Sequence, residues 1–344
     1  MKLLVSIGKV VAMTALTLHA VAAPLDALIE AKPSQRYGEG FLELGADAMN
    51  STLDIFKVRN QMGITDNTGN YQGFTLRGGH AFGRGGWVDG AYMRRNITVA
   101  LDQYPVTSWQ VGAQQILMES ADSALAIRAT VWGNQSDSVT KSKFSLTAMG
   151  SVIELDRVVA RKPKDQQQQL DLIQSWYGQQ WSGSVFGGVG SGQVKIPGVD
   201  IDVTYPITAS FTYPSDIANS LQLIPGFKEH LETLNYRLQT QRIGLNVNYV
   251  TGPWMYRAGY VMSNTRRPSV DSALESLGKI SYQRNQTLVG EVAYKFTQTA
   301  HVYTRAQVMQ RQFLSEIPFL YNSITSSIFG VKYGVISAGV GFSF

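Results

Sequence analysis

Hydrophobic and polar residues alternate with a period of two along much of this 344-residue chain. In the stretch 199–213 the odd positions are apolar or aromatic, whereas the even positions are Asp, Thr, Ser and one Pro. Similar alternation occurs in 109–117, 125–131, 243–249 and 254–262. Successive side chains of a β-strand point to opposite faces, so this period is typical of strands with one apolar face. The pattern predicts an all-β protein.

The first 22 residues have the features of an export signal. Lys2 and Lys9 form a charged beginning, an apolar run covers 10–18, and small residues precede Ala23. These features predict a signal peptide over 1–22 that is removed on export. Beyond it, no stretch approaches the ~18 uninterrupted apolar residues that a membrane-spanning helix needs. Since only helices and closed barrels hide their backbone polar groups from lipid, a membrane location would require a barrel.

The alternating segments predict a closed antiparallel transmembrane β-barrel of about fourteen strands, with twelve or sixteen left open. An even number brings both ends of the barrel to the periplasmic side. The predicted organisation is a short periplasmic segment at 23–37 followed by the barrel at 38–344. The predicted strands lie near 38–58, 71–82, 86–96, 106–119, 123–134, 143–156, 168–178, 182–195, 199–213, 233–251, 253–266, 278–296, 300–313 and 328–344.

The connectors between these strands alternate between short and long, as such a barrel requires. Connectors 157–167 and 179–181 break the alternation, which is why the strand count stays open. The longest outer loop, 214–232, is predicted to lie outside the pore, with constriction of the mouth as the alternative. The short turns expected on the periplasmic side are 83–85, 120–122, 197–198, 252–253 and 297–299.

A soluble, exported all-β sandwich or barrel would give the same binary pattern. Two features favour the membrane barrel. The polar faces carry Gly, Ser, Asn and Gln as often as charged residues, and Trp and Tyr lie near the ends of the apolar faces, as in aromatic girdles.

The chain ends on "GVISAGVGFSF", in which Gly339, Phe342 and Phe344 have the spacing of a terminal-strand signal. In this motif, and in its overall pattern, the chain resembles the Gram-negative outer-membrane β-barrel proteins, porin-like in the broad sense and without a specific family. The resemblance implies location in the cell outer membrane. It also implies two partners, the outer-membrane lipid and the machinery that assembles barrels there, which reads this insertion signal.

A barrel of this size leaves a lumen, and the polar faces would line it. Several arginines lie on those faces, and a guanidinium offers a fork suited to carboxylate or phosphate. With 30 Lys and Arg against 25 Asp and Glu, the charge balance also favours anions. Scattered arginines that only line water are the alternative interpretation. The predicted pore-lining residues are Arg77, Arg128, Arg242, Arg257, Arg305, Arg311 and Glu291.

These observations predict an outer-membrane channel for passive diffusion of small hydrophilic solutes, and they leave open whether it prefers anions or has a merely solvated wall. The alternatives are the outer-membrane exit of a polysaccharide or polypeptide export system, which would need a periplasmic partner, and a structural or adhesive barrel. No nucleophile motif, metal-ligand spacing or phosphate-binding glycine motif is present, so we expect neither an enzyme nor a metal or cofactor. Nucleic acid is not an expected partner.

Overall fold

The computed structural model describes most of the chain after the predicted signal, which lies outside the described residues. The described residues are 27–31, 38–49, 70–99, 102–148, 151–205, 208–215, 230–231, 233–311, 313–330 and 332–344.

Sixteen strands form the framework of the part of the chain that the structure describes. In chain order they are β1 (Gly40–Met49), β2 (Asn70–Phe82), β3 (Gly86–Val99), β4 (Asp102–Glu119), β5 (Ser123–Gln135), β6 (Ser138–Ala148), β7 (Ser151–Arg161), β8 (Lys164–Tyr177), β9 (Trp181–Lys195), β10 (Gly198–Tyr205), β11 (Ala209–Tyr213), β12 (Tyr236–Thr251), β13 (Trp254–Arg266), β14 (Arg284–Lys295), β15 (Ala300–Met309) and β16 (Tyr333–Ser343).

Twelve of the strands close into an antiparallel barrel in the order β1-β16-β15-β14-β13-β12-β9-β8-β5-β4-β3-β2. The first and last barrel strands pair directly, so that Leu42 lies opposite Phe342. Twelve is one of the two alternatives to fourteen that the sequence left open. The remaining strands form a separate four-stranded sheet in the order β11-β10-β7-β6.

Short turns gather at one end of the barrel, here called the turn end, together with both ends of the barrel chain. They are the connectors 83–85, 120–122, 178–180, 252–253 and 296–299. The opposite end, here called the loop end, carries the longer connectors and the four-stranded sheet. In bacterial outer-membrane barrels the short turns face the periplasm. The predicted turns are confirmed except 197–198, which joins β9 to β10 at the loop end.

The outward face of the barrel is apolar and exposed. It includes Leu44, Leu172, Leu245, Leu288 and Val302, each more than 40% exposed. Exposed apolar surface of this extent is unsuited to water and matches the hydrocarbon interior of a bilayer. A girdle of exposed aromatic side chains lies at the turn end: Phe82, Trp176, Trp181, Tyr249, Trp254, Tyr294, Phe296 and Phe344. The barrel therefore spans a membrane with its strands. None of the described helices is long and apolar enough to cross a membrane.

The four-stranded sheet corrects two predicted barrel strands, 143–156, which falls on β6 and β7, and 199–213. The stretch 199–213 does alternate, but it forms β10 and β11 rather than one barrel strand. Val199, Ile201 and Val203 of β10 are buried in a protein core instead of facing lipid. Alternation reports which face is apolar, not whether lipid or protein covers it. This sheet also explains why connector 157–167 broke the predicted alternation.

An apolar core fills the mouth of the barrel at the loop end. Connector 313–330, here called the mouth loop, contributes Phe313, Leu314 and Ile317 and includes two short 3-10 helices, Pro318–Leu320 and Ser326–Gly330. Helix α1 (Pro268–Ser276) lies between β13 and β14 and adds Val270 and Leu274. Barrel residues in the same core are Ile97, Tyr104, Val106, Val194, Tyr236, Leu238 and Met309.

Candidate functional site: the interior of the barrel

The predicted pore-lining residues occupy the inside of the barrel with one exception. Arg77, Arg128, Arg242, Arg257, Arg305 and Glu291 are buried and face inward. Arg311 lies beyond the end of β15, where its guanidinium stacks on Tyr282 with 4.3 Å from Cζ to the ring centre. The period of two was sufficient to predict the inward positions, but not the end of β15.

Two buried ion pairs bridge strands that are not neighbours. Arg128 on β5 donates to both carboxylate oxygens of Asp89 on β3, at 2.6 and 2.7 Å. Arg242 on β12 donates to Asp171 on β8 at 2.9 and 2.6 Å. Each pair passes over a glycine of the strand between, and the first passes over Gly112, where a Cβ atom would collide with both partners. These arginines are held by carboxylates rather than free in the lumen.

Glu291 forms ion pairs with two arginines of its neighbouring strands. Arg305 donates a hydrogen bond to Oε2 through Nε at 2.8 Å, and its Nη2 lies 2.6 Å from the same oxygen. Arg257 Nη2 lies 3.2 Å from Oε1. All three side chains are buried. The two arginines thus provide the counter-charge that stabilises the buried carboxylate of Glu291.

Arg77 differs from the other interior arginines. It is 92% buried, and its Nε and Nη1 atoms have no hydrogen-bond partner among the described residues. It lines a cavity of about 40 Å³ together with Asp47, Arg305 and Glu316. A cavity of this size and polarity accommodates water.

A short stretch near the beginning of the chain lies inside the barrel. Residues 27–31, here called the inner segment, contribute four buried side chains to a core with inward residues of β5, β8, β9, β13 and β14. Ser184 donates to the carbonyl of Ile29 at 2.5 Å, and Asn246 donates to the same oxygen. Tyr177 donates to the carbonyl of Ala31 at 2.6 Å. The segment predicted as periplasmic, 23–37, is otherwise outside the described residues, and its assignment as a whole stays a prediction.

The mouth loop is fixed to the barrel by polar contacts as well as by the apolar core. Tyr236 donates to the carbonyls of Pro318 and Tyr321, at 2.6 and 3.0 Å. Arg267 donates to the carbonyl of Leu314 at 2.9 Å. Arg95 forms a buried ion pair with Glu316, and Asn134 donates to the Glu316 carbonyl at 2.8 Å.

A lysine and a histidine reach the far side of the mouth loop at Ser323. Lys279 donates to the Ser323 carbonyl at 2.8 Å, and burial lowers the pKa of this lysine. His230 Nδ1 lies 2.7 Å from Ser323 Oγ, and Thr233 bonds to the same oxygen at 2.8 Å. His230 and Ser323 are fully buried, so this serine–histidine contact anchors the loop and offers no accessible nucleophile.

The two other histidines that the structure describes, His301 and His80, lie on opposite faces of the barrel wall. His301 faces inward with its Nε2 3.7 Å from Glu43, and His80 is exposed near the turn end. Among the described residues, no cluster of His, Cys, Asp and Glu could hold a metal ion.

The residues of the predicted insertion signal lie on both faces of β16. Phe342 and Phe344 are exposed, with Phe344 at the turn end. Gly339 faces inward, where a Cβ atom would collide with the carbonyl of Leu44 and the ring of Tyr303. Packing alone therefore accounts for a glycine at position 339. Recognition of the motif by the assembly machinery stays a prediction.

Sequence reasoning missed both features that obstruct the lumen. The predicted outer loop 214–232 falls mainly on residues outside the described ones, whereas the mouth loop fills the mouth. The available signal was the apolar composition of "FLSEIPFLY", Phe313 to Tyr321, which is unusual for a solvated loop. For the inner segment, the signal was Leu28 and Ile29 beyond the predicted cleavage point.

Comparison with known proteins finds similarity in solved structures. No protein-family model matches the chain, and no curated protein matches its sequence. The translocator domain of the autotransporter NalP from Neisseria meningitidis is 10% identical, with a TM-score of 0.49 over 89% of this chain and 88% of that one. The NanC porin is 8% identical, with a TM-score of 0.44 over 88% and 98%. The CymD monoaromatic hydrocarbon channel is 9% identical, with a TM-score of 0.45 over 90% and 89%.

At these identities the likeness concerns the arrangement of strands, not the chemistry of the interior. The assignment of the architecture rests on the features of the barrel. It is closed and antiparallel, it has an even number of strands, and it combines an apolar outward belt with a polar interior, as outer-membrane proteins do. The protein is located in the cell outer membrane, in contact with its lipid.

Proposed function

We propose that the protein is a channel for small hydrophilic solutes that is closed in the conformation described above. The observation that carries this proposal is a set of buried polar atoms without partners among the described residues. They include both amide atoms of Gln110, the hydroxyl of Thr130 and two nitrogens of Arg77. Buried polar groups in native proteins are nearly always hydrogen-bonded, so water is their expected partner. A hydrated interior is what a diffusion channel requires.

Opening requires two obstructions to move. The mouth loop covers the lumen at the loop end, and the inner segment occupies it nearer the turn end. Neither is a strand of the barrel, so each can be displaced without breaking the ladder of backbone hydrogen bonds.

The balance of interior charge argues against the preference for anions that the sequence left open. Each of the six inward arginines that the structure describes pairs or shares a cavity with a carboxyl group, so little net fixed charge is left to select ions. The inward arginines are Arg77, Arg95, Arg128, Arg242, Arg257 and Arg305, and the buried carboxyl groups among them are those of Glu43, Asp47, Asp89, Asp165, Asp171, Glu291 and Glu316. We therefore propose weak charge selectivity.

Ion current across a planar lipid bilayer tests the proposal. Four proteins are compared: the mature chain, a variant with residues 313–330 replaced by a short Gly-Ser linker, a variant that begins at residue 38, and the combination. We expect rare openings for the mature chain and steady current for the combination. A folded combined variant that passes no current would rule out a diffusion channel.

A point substitution tests the closed state without removing the mouth loop. Tyr236→Phe removes the hydroxyl that bonds both carbonyls. Pro318 keeps its bond from the Tyr321 amide, whereas the buried Tyr321 carbonyl loses its donor, at a cost of about 1–3 kcal/mol. We expect openings to become about tenfold more frequent. The matched control is Tyr249→Phe, on the lipid-facing side of the same strand, which should leave the opening frequency unchanged.

One observation favours the alternative, an exit for an exported polymer. The barrel wall holds the inner segment through its backbone, as in the bond from the Ala31 amide to Ser175 Oγ at 2.9 Å. Backbone contacts suit any peptide sequence. An exit predicts that unfolded polypeptide added to the combined variant blocks its current at micromolar concentration, whereas a channel for small solutes predicts no block.

A further inference from the structure

A row of basic side chains lies on the outer surface of the barrel at the loop end. Arg94, Lys164, Lys195 and Arg237 are exposed and point outward, on the same strand faces as the apolar belt. They belong to β3, β8, β9 and β12, which lie on one side of the barrel. No ion pair joins any of the four to another described residue, in contrast to most arginines inside the barrel.

Strand register places these side chains next to one another. Lys164 lies directly opposite Lys195, and like charges in this position repel. Arg237 lies opposite Gln193, two positions from Lys195. On the other side the row continues through Gln135 and Thr107 to Arg94. With strands about 4.8 Å apart, the six strands carry the row across about 24 Å.

The level of Lys164 and Lys195 corresponds to the boundary between membrane and water. Below Lys164 on the outward face of β8 come Gln166 and Gln168, and then the apolar Leu170 and Leu172. On β4, Trp109 is exposed one row below, where an interfacial aromatic residue is expected. Lys164 and its neighbour Lys195 therefore lie at the height of lipid headgroups, with a band of amide side chains beneath them.

An open cleft of about 1010 Å³ lies along this row, where barrel strands pass into the four-stranded sheet. Lys162 adds a fifth basic side chain to its lining, and Asp137 is the one carboxylate among the described lining residues. Of the outward side chains that the structure describes on the loop half of these strands, none is acidic. The cleft is a concentrated positive surface with no internal counter-charge apart from Asp137.

We propose that this cleft binds the phosphate groups of an anionic glycolipid in the outer leaflet of the membrane. The loop end faces that leaflet because the short turns face the periplasm. Lysine ammonium groups bind phosphate as point charges, and an anion between Lys164 and Lys195 relieves their repulsion. The glutamines beneath, such as Gln166 and Gln193, are suited to hydroxyl groups of a sugar headgroup. The site is outside the barrel and does not depend on conduction.

Native mass spectrometry of the detergent-purified protein tests the site with diphosphorylated lipid A and the same lipid after removal of its phosphates. We expect adducts with the first lipid and at least tenfold fewer with the second. Lys164→Gln with Lys195→Gln should weaken binding about thirtyfold, from about 1 kcal/mol per lysine near an anionic surface.

Three controls separate the possible results. Lys164→Arg with Lys195→Arg keeps both charges and should bind as the native protein does. Arg84→Gln removes an exposed cation at the turn end and should also change nothing. Equal binding of the dephosphorylated lipid, or full binding by the glutamine variant in folded form, would overturn the proposal. Complete competition by millimolar inorganic phosphate would overturn it in favour of a free-anion site.

Discussion

At the residue scale, the charges inside the barrel are arranged by pairs that reach across a strand. Arg128 meets Asp89, and Arg242 meets Asp171, each over an intervening glycine. Alternation in the sequence predicts that all four residues face inward, because inward positions recur every second residue. It does not predict the partners, because they come from strands that are distant in sequence and separated by another strand. The reason for a glycine at position 188 is visible only in the structure, where the Arg242–Asp171 pair passes over it.

The substitution Asp171→Asn tests how much such a pair contributes. It leaves Arg242, which is 93% buried, without its counter-charge, and the expected loss of folding free energy is about 3–5 kcal/mol. The measurement is the urea midpoint for unfolding from lipid vesicles. The double change Asp171→Leu with Arg242→Met removes both charges and should recover most of the loss. An unchanged midpoint for Asp171→Asn would show that water already screens the pair.

At the element scale, the four-stranded sheet differs from barrel strands of similar sequence in what covers its apolar face, which is protein and not lipid. The apolar side chains of β10, such as Val199 and Ile201, lie in the core that closes the mouth. Its opposite face carries exposed ion pairs with β7, Arg157 with Asp202 and Arg161 with Asp200. A sheet with protein on one face and water on the other produces the same alternation as a sheet between lipid and a lumen.

Acid should loosen this sheet through Asp200. Arg161 donates hydrogen bonds to this carboxylate, which lowers its pKa below the ordinary 3.8. The unfolded sheet therefore takes up the proton at higher pH than the folded sheet. The stabilisation is complete above the ordinary pKa and disappears as the pH falls through the lower folded value.

Hydrogen exchange of β7 and β10 between pH 6 and pH 2, corrected for intrinsic rates, measures this effect. Because the pair is exposed, we expect only a few-fold increase in the equilibrium for opening below about pH 4. Asp200→Asn should remove this pH dependence, and Asp202→Asn serves as the neighbouring control. A pH dependence that persists in Asp200→Asn would assign the effect to another group.

At the scale of the whole molecule, the outward surface is divided into bands. On β8 the outward residues run from Lys164 through Gln166 and Gln168 to Leu170 and Leu172, and then through Gln174 to Trp176 near the turn end. Charged and amide groups thus lie at the loop end, hydrocarbon groups follow, and an amide and an aromatic group lie at the turn end, as expected for strands that cross a bilayer.

An arginine placed at two levels of β8 checks this orientation. Leu172→Arg puts a charge in the apolar belt and should destabilise the folded barrel by about 2–4 kcal/mol. Gln168→Arg lies on the same face but in the polar band, and its expected cost is about 0–1 kcal/mol. Both are measured by the urea midpoint in vesicles. Equal costs for the two variants would contradict the assigned position of the membrane.

The amino-acid sequence by itself determined the class of the molecule. The period of two, the aromatic residues at strand ends and the terminal motif at Gly339, Phe342 and Phe344 are local features, and lipid imposes them strand by strand. The inward position of Arg77 and Arg242 follows from the same period. These properties depend on residues that are neighbours within one strand, so they can be predicted from a single sequence.

Only the tertiary structure decided the number of barrel strands and the state of the lumen. β10 has the same pattern as a barrel strand and differs only in what covers it. The obstruction of the lumen depends on contacts between residues that are distant in sequence. Tyr236, for example, bonds to Pro318 of the mouth loop, 82 positions away. Such contacts give buried polar groups a hydrogen-bond partner that is distant in sequence. A periodic pattern along the chain therefore does not predict them.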